Sequence, residues 1–226
     1  MTELDVININ EKNKIFLNKQ DVDSRFCYLF IKRAIDILGS FIGLIFLSPL
    51  ILVVGFMIKK EDYDGPIFFS QNRVGKNGQV FKMYKFRSMC VDAEDKLSLL
   101  LAYNEVEGAM FKMKDDPRVT KIGKFIRKTS IDELPQLWNV LKGDMSLVGP
   151  RPPLLREVNE YSEYDKQRLY VKPGCTGLWQ ISGRNHVGFE KMVRLDLLYI
   201  SSQSMLLDIK IILKTILVIV RPNGAY

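Results

Sequence analysis

The chain has 226 residues, with 33 Lys+Arg against 26 Asp+Glu and one His, a net charge of +7. That length allows one compact domain with an appendage, and 26% charged with 11% aromatic residues exclude a disordered or low-complexity chain. One histidine argues against a His-rich zinc site or a His-based dyad, and Cys27, Cys90 and Cys175 show no CxxC spacing, so neither a disulfide framework nor a zinc site is expected.

Residues 1–25 carry five acids and four bases without a strong period and read as a polar tail or loose N-terminal extension. From Ile37 to Ile58 no residue carries a formal charge. As a straight helix this run would be about 33 Å long, enough for a hydrocarbon core. It starts too late, is too long and lacks a cleavage site for a signal peptide. A buried core helix is the ordinary alternative. Two features complicate a simple span. Ser48-Pro49 sits mid-run, where proline removes a backbone hydrogen bond. Lys32 and Arg33 precede the run while Lys59 and Lys60 follow it, so neither end favours crossing. A re-entrant helix over 26–60, broken at Ser48-Pro49, satisfies both; a plain span competes with it.

Residues 61–226 then read as one α-rich α+β domain. Gly65-Pro66 introduces a hairpin in which IFFSQNRV and QVFKMYKF flank the turn Gly75-Lys76-Asn77-Gly78. Residues 91–104 look helical and 105–118 irregular. KIGKFIRK places Lys121, Lys124 and Lys128 opposite Ile122, Phe125 and Ile126, a basic amphipathic helix suited to anionic headgroups or simply a solvated face. A helix is expected over Ser130–Lys142, a Gly/Pro-rich loop at 149–153, a helix near 154–169, and loops with short strands from Pro173 to Gly188. The last helix, Met205 to Val220, keeps Asp208, Lys210 and Lys214 among aliphatics; it lies in a membrane interface or packs as a core helix. No nucleic-acid motif accompanies the basic charge, so no nucleic-acid partner is expected.

Chemistry concentrates around Thr129–Pro135. Ser130 and Glu133 fit an S-x-x-E capping box, with Asp132 and Glu133 in the first helical turn; alternatively the helix starts at Pro135 with the acids just ahead of it. Either way the acids sit at the positive end of a helix dipole, where plain helix stabilisation is a sufficient explanation. Their company points further. Arg127 precedes them, Arg151 stands stiffly between Pro150 and Pro152, and Lys82, Lys85, Arg87 and Arg184 add cations. Cations around two acids suit a phosphate-rich substrate with a divalent ion between acid and phosphate. Mg²⁺ on one or two carboxylates plus substrate oxygens needs no histidine, and a free carboxylate can attack phosphorus.

KMYKFRSM, DPRVTKIGKFIRKTSIDELPQLWNVLKGDMSLVGPRP and KPGCTGLWQISGRN closely resemble the bacterial sugar transferase family, the monotopic phosphoglycosyl transferases, from about Tyr28 to Pro222. The family's re-entrant helix broken at Ser-Pro matches Ser48-Pro49. The four extra membrane helices of long members are absent ahead of this region, so the resemblance is to a short, catalytic-core form. It implies an enzyme of the cytoplasmic face of the bacterial inner membrane that moves a sugar-1-phosphate from a UDP-sugar to undecaprenyl phosphate, releasing UMP, to begin a surface glycan. By the same resemblance Asp132 is the nucleophile and Glu133 holds Mg²⁺. Arg127, Arg151 and Arg184 bind phosphate or nucleotide, Asp208 matches an acid of the C-terminal helix counted with the substrate-binding residues, and Lys85 and Arg87 bind substrate or support structure. The implied partners are the UDP-sugar, undecaprenyl phosphate and membrane lipids, with a homo-oligomer and regulatory or downstream glycan-assembly proteins beyond them. Two other readings are a transferase that moves only the sugar and a non-catalytic membrane scaffold. Leu178-Trp179 replaces a common Trp-Ala pair, and Ile131 a common leucine.

Overall fold

The computed structural model describes residues 14–100, 103–104, 113, 115–182 and 188–220. Asn18 opens the first helix: its side chain accepts from Gln20 N at 2.9 Å and caps α1 (Lys19–Asp23). Val22 is buried in the apolar cluster that also holds Val171 and Leu197. Leu17 N donates to Gln167 Oε1, Lys76 pairs with Asp23, and Arg25 donates to the carbonyls of Ile200 and Ser201. Residues 14–25 are therefore docked rather than loose, because one valine and four polar ties hold a segment that lacks periodicity of its own.

The uncharged run forms the middle of α2 (Phe26–Glu61), a helix of 36 residues with Pro49 inside it. The expected break at Ser48-Pro49 is absent: the helix is continuous through the proline. The reason is local. Pro49 cannot donate to the carbonyl of Ile45, and Ser48 Oγ donates to that same oxygen at 2.7 Å, restoring the bond that proline removes. Both ends of α2 meet the same body. Near its start Arg33 donates to the carbonyls of Val140 and Leu141, while Asp36 Oδ1 accepts from Ser146 Oγ and Leu147 N. At its end Glu61 accepts from Lys121 N and Ile122 N. Lys32 and Arg33 thus serve intramolecular contacts as well as flanking the run. Between the two anchors, Ile42, Phe46 and Leu52 are exposed.

After α2 comes the expected hairpin, β1 (Phe68–Val74) antiparallel to β2 (Val80–Phe86), with Arg73 opposite Phe81 and Phe69 opposite Lys85. Its turn uses left-handed backbone at Asn77 and Gly78, the residue types that tolerate it. Of the helix expected over 91–104, residues 91–96 form turns and Leu97–Leu100 form α3, while residues 101 and 102, and most of the stretch 105–118 expected to be irregular, lie outside the described residues. α4 (Lys121–Lys128) is capped by Thr120, whose Oγ1 accepts from Gly123 N. It buries Ile122 and Ile126; Phe125, expected inside with them, is 52% exposed on the lysine side.

The Ser130–Lys142 helix divides. Ser130 makes no side-chain cap and takes φ 57°, so the capping box does not form. Ile131–Glu133 make a single 3₁₀ turn, and α5 (Gln136–Lys142) begins after Pro135, the second of the two starts that the residues allowed. α5 ends in left-handed Gly143. β3 (Ser146–Val148) pairs in parallel with β4 (Gly174–Thr176). Between them the helix expected near 154–169 breaks into α6 (Leu155–Asn159) and α7 (Glu163–Lys166), because Ser162 and Asp165 form a reciprocal capping box that starts a new helix. α8 (Leu178–Ile181), α9 (Phe189–Ser201), for which the sequence reading named no element, and α10 (Met205–Val220) complete the chain.

Two apolar clusters hold this helix-rich arrangement. The larger joins Val148, Val171, Leu178, Val193, Leu197, Ile200 and Ile211, seating α9 and α10 on the parallel pair. The smaller joins Val54 and Ile58 of α2 to Phe86, Ile122 and Ile126, seating the end of the long helix on α4 and the hairpin. Burying each such side chain stabilises by about 1.5–3 kcal/mol. α2 is the helix among the described residues that is long and apolar enough to cross a membrane, with only 17% of its most apolar window buried.

Candidate active site

Strand alternation builds one wall. Phe69, Gln71 and Arg73 of β1 share a face with Met83 and Lys85 of β2, and all five line a cavity of about 470 Å³. A buried side chain holds this strand in place: Asn139 of α5 donates from Nδ2 to Lys82 O at 2.7 Å and accepts at Oδ1 from Tyr84 N at 3.0 Å. An amide here does the work of a neighbouring strand, fixing the row that carries Lys85 against the turn that carries the acids.

That turn supplies Asp132, 8% exposed, and Glu133 beside it. Lys85 Nζ lies 2.7 Å from Glu133 Oε1 and 4.0 Å from Asp132 Oδ2, so both carboxylates converge on one cation. Burial raises the Asp132 pKa to about 6, with the Glu133 charge adding to the rise and Lys85 and Arg127 opposing it. The left-handed Ser130 just ahead is a strained conformation for a residue with a side chain. It turns the chain sharply from α4 into the acid pair.

The opposite wall comes from the Gly149–Pro153 loop. Gly149 and Gly174 approach so closely that a Cβ on Gly174 would lie 2.0 Å from Gly149 N; only glycine permits this packing. Arg151 follows, its Nη1 3.2 Å from Glu157 Oε2, and Glu157 also accepts from Leu154 N. Arg127 reaches the cavity from α4. Arg73, Arg118, Arg156 and Trp179 line it as well. No motif assigns a site role to these four; strand parity with Lys85 is the signal that marks Arg73. Seven lining residues are Lys or Arg and three are Asp or Glu, a balance that favours a polyanionic guest.

Of the expected site residues, Lys85, Arg87, Arg127, Asp132 and Arg151 line the cavity and Glu133 adjoins it through Lys85. Arg87 is paired with Asp62, and donates to the Asp62 carbonyl too, which answers to the supporting role. Asp208 is not brought to the cavity. It is buried in the first turn of α10, accepting from Tyr199 at Oδ1 and from Tyr28 and Lys32 at Oδ2. Its carboxylate joins α10, α9 and α2 through three donors. Arg184 lies outside the described residues.

Among the described residues no three or more Asp, Glu, His or Cys side chains gather as a metal cage. The acid pair nonetheless fits Mg²⁺ in the manner of phosphate-handling sites, where one or two carboxylates are completed by substrate oxygens: both already converge on the Lys85 ammonium.

Residues 27–222 match the family model described as bacterial sugar transferase. The chain is 54% identical over 202 residues to the galactosyl transferase CpsE of Streptococcus agalactiae, covering 89% of this chain and 44% of that one. It is 46% identical to the undecaprenyl-phosphate galactose phosphotransferase of Salmonella typhimurium, covering 87% and 42%. To the exopolysaccharide production protein ExoY of Sinorhizobium fredii it is 43% identical, covering 86% and 88%. The chain thus spans less than half the length of the first two relatives and most of the third. With the family's match running through the hairpin, the acid turn, the Pro-Arg-Pro loop and α10, the chain belongs to the bacterial sugar transferase family.

Proposed function

We propose that this chain transfers a hexose-1-phosphate from a UDP-sugar to undecaprenyl phosphate, releasing UMP, in the priming step of a surface polysaccharide. The observation that carries the reading is Asp132, a buried carboxylate in a cavity whose charged lining is mostly cationic. The printed name of the Salmonella relative, an undecaprenyl-phosphate galactose phosphotransferase, supports the reaction, CpsE's as a galactosyl transferase supports a sugar donor, and ExoY's as an exopolysaccharide production protein supports the product.

The chain's own groups account for the steps. An Asp132 oxygen attacks the β-phosphorus, and the bond from that phosphorus to the bridging oxygen breaks, its electron pair leaving with UMP. An oxygen of undecaprenyl phosphate then attacks the same phosphorus, and the acyl-phosphate bond breaks to restore the carboxylate. With its pKa near 6, Asp132 is anionic at neutral pH and more basic than a free aspartate, which suits a nucleophile. Lys85 and Arg127 face the charge that builds on the phosphoryl oxygens. Glu133 would hold Mg²⁺ together with substrate oxygens, and the ion would supply further neutralisation of phosphate charge when bound. Splitting the transfer lets a water-soluble donor and a lipid acceptor use one site in turn.

Membrane association follows from the same proposal. The exposed middle of α2, Phe125 and Trp138 on α4 and α5, and Leu206, Leu213 and Leu217 on α10 are large apolar groups facing outward, as an enzyme with a polyprenyl substrate requires. With both ends of α2 held by one body, we infer that this body lies on one side of the membrane, the cytoplasmic side where UDP-sugars are made.

The test is turnover of the purified chain with undecaprenyl phosphate, Mg²⁺ and a panel of UDP-sugars. Multiple turnovers of UMP should require lipid phosphate, with at most one equivalent per chain released without it, and Asp132→Asn should abolish both. Release of UDP would mean transfer of the sugar alone, and full activity in Asp132→Asn would remove the covalent step.

A further inference from the structure

Four arginines are buried among the described residues, and three of them meet a carboxylate: Arg87 with Asp62, Arg118 with Asp116, and Arg168 with Asp196. Arg73 does not. It is 9% exposed, donates only to neutral oxygens, Pro152 O at 3.1 Å and Gln71 Oε1 at 2.8 Å, and its Nε is buried with no partner. Burial first, and then the Arg151 charge, lowers its pKa to about 10, with the Glu157 and Glu133 carboxylates opposing without pairing to it. A guanidinium taken out of water without a carboxylate in direct contact is incompletely compensated. A fold keeps such a group where something from outside the chain completes the pair.

Its position says what that something is. Arg73 and Lys85 share the cavity face of the hairpin at opposite ends: Lys85 pairs with Phe69, four residues from Arg73, or about 13 Å along the strand. Lys85 stands at the acids, and Arg73 stands at the Pro-Arg-Pro loop, bonded to its carbonyl. Long side chains reaching inward from these two ends can converge on adjacent phosphoryl groups of one diphosphate, Lys85 from the side of the acids and Arg73 from the side of the loop.

We propose that Arg73, with Arg151 and Arg156, binds the phosphate that departs with the nucleotide, which is the α-phosphate of the UDP-sugar donor and then that of UMP. This rests on the transfer reading above. It assigns Lys85 and Arg127 to the phosphorus under attack and Arg73 to the leaving group, so the two phosphates of one donor are recognised by different residues. Arg73 then acts in the first half-reaction, and the lipid phosphate, which attacks after UMP has left, does not depend on it.

Two full-chain variants separate charge from scaffold. Arg73→Gln keeps an amide donor for Pro152 O and removes the charge; Arg73→Lys keeps the charge. UMP binding by calorimetry, the KM for the UDP-sugar, the KM for undecaprenyl phosphate and the melting temperature are measured for each. Arg73→Gln should weaken UMP binding about tenfold to a hundredfold, the range for losing a charge-assisted hydrogen bond to phosphate. Arg73→Lys should lose less, and the KM for undecaprenyl phosphate should stay within twofold. Unchanged UMP affinity in Arg73→Gln overturns the proposal, as does a parallel loss in UMP affinity, lipid-phosphate KM and melting temperature, which marks a structural role. If wild type binds UMP, Arg73→Gln does not, and no donor is turned over, the phosphate subsite stands and the transfer reading falls. If wild type binds no UMP, both fall.

Discussion

Asp132 and Asn139 show how differently two buried polar side chains contribute. Asp132 keeps an unsaturated carboxylate facing a cavity, whereas every polar atom of Asn139 is engaged by the strand edge or by Asp144. Asn139→Ala leaves Tyr84 N and Lys82 O unsatisfied and should destabilise the fold by about 1–3 kcal/mol, read as a lowered urea midpoint. Activity should fall further than stability, because the strand carrying Lys85 loses its tie. Asp116 offers a pH test. Arg118 donates to it from Nε, Nη2 and the backbone, and these bonds hold its pKa below the ordinary value. A depressed carboxylate stabilises the fold fully above its unfolded pKa of about 3.9 and loses that contribution as pH falls through the lower native value. Melting temperatures followed from pH 6 to pH 2.5 should therefore fall less steeply in Asp116→Asn than in wild type, from a lower starting point.

At the scale of elements, the long helix and the glycine contact each make a claim. Ser48→Ala leaves the Ile45 carbonyl, already denied its partner by Pro49, with no donor inside an apolar medium. The variant should lose stability in detergent micelles while Pro49→Ala, which restores the backbone bond, should not. Tags at Met1 and Tyr226 should both report the cytoplasm; a tag at Met1 on the far side would mean that α2 crosses as a plain span. At the crossing of the Pro-Arg-Pro loop with β4, Gly174→Ala forces a Cβ to within 2.0 Å of a backbone nitrogen. The backbone must shift, at a cost of about 1–3 kcal/mol, and the displaced loop carries Arg151, so donor KM should rise along with the drop in melting temperature.

For the whole molecule, the division of labour between sequence and fold is physical. Three features depend on local periodicity alone and were legible in the chain: the uncharged run, the alternating hairpin with its Gly-Lys-Asn-Gly turn, and the aliphatic C-terminal helix. So was the neighbourhood of the site, because Arg127, Asp132 and Glu133 are close in sequence and the family motifs span the rest. What the chain could not announce was pairing at long range. Asp208 looked like one more acid for a ligand, and only the fold sets Lys32 and Tyr28, about 180 residues away, against it. Lys32 and Arg33 looked like flanking charges for a membrane run, yet Arg33 caps α5 and Lys32 neutralises α10. Arg73 reads as an ordinary strand residue until its burial without a carboxylate in direct contact is seen, with the Arg151 charge acting on it. Periodicity is a property of neighbouring residues, so sequence alone determined which segments are helices, strands and apolar runs. Burial and charge compensation are properties of residues brought together from distant positions, so only the tertiary structure decided which charges are paired within the fold and which line the cavity.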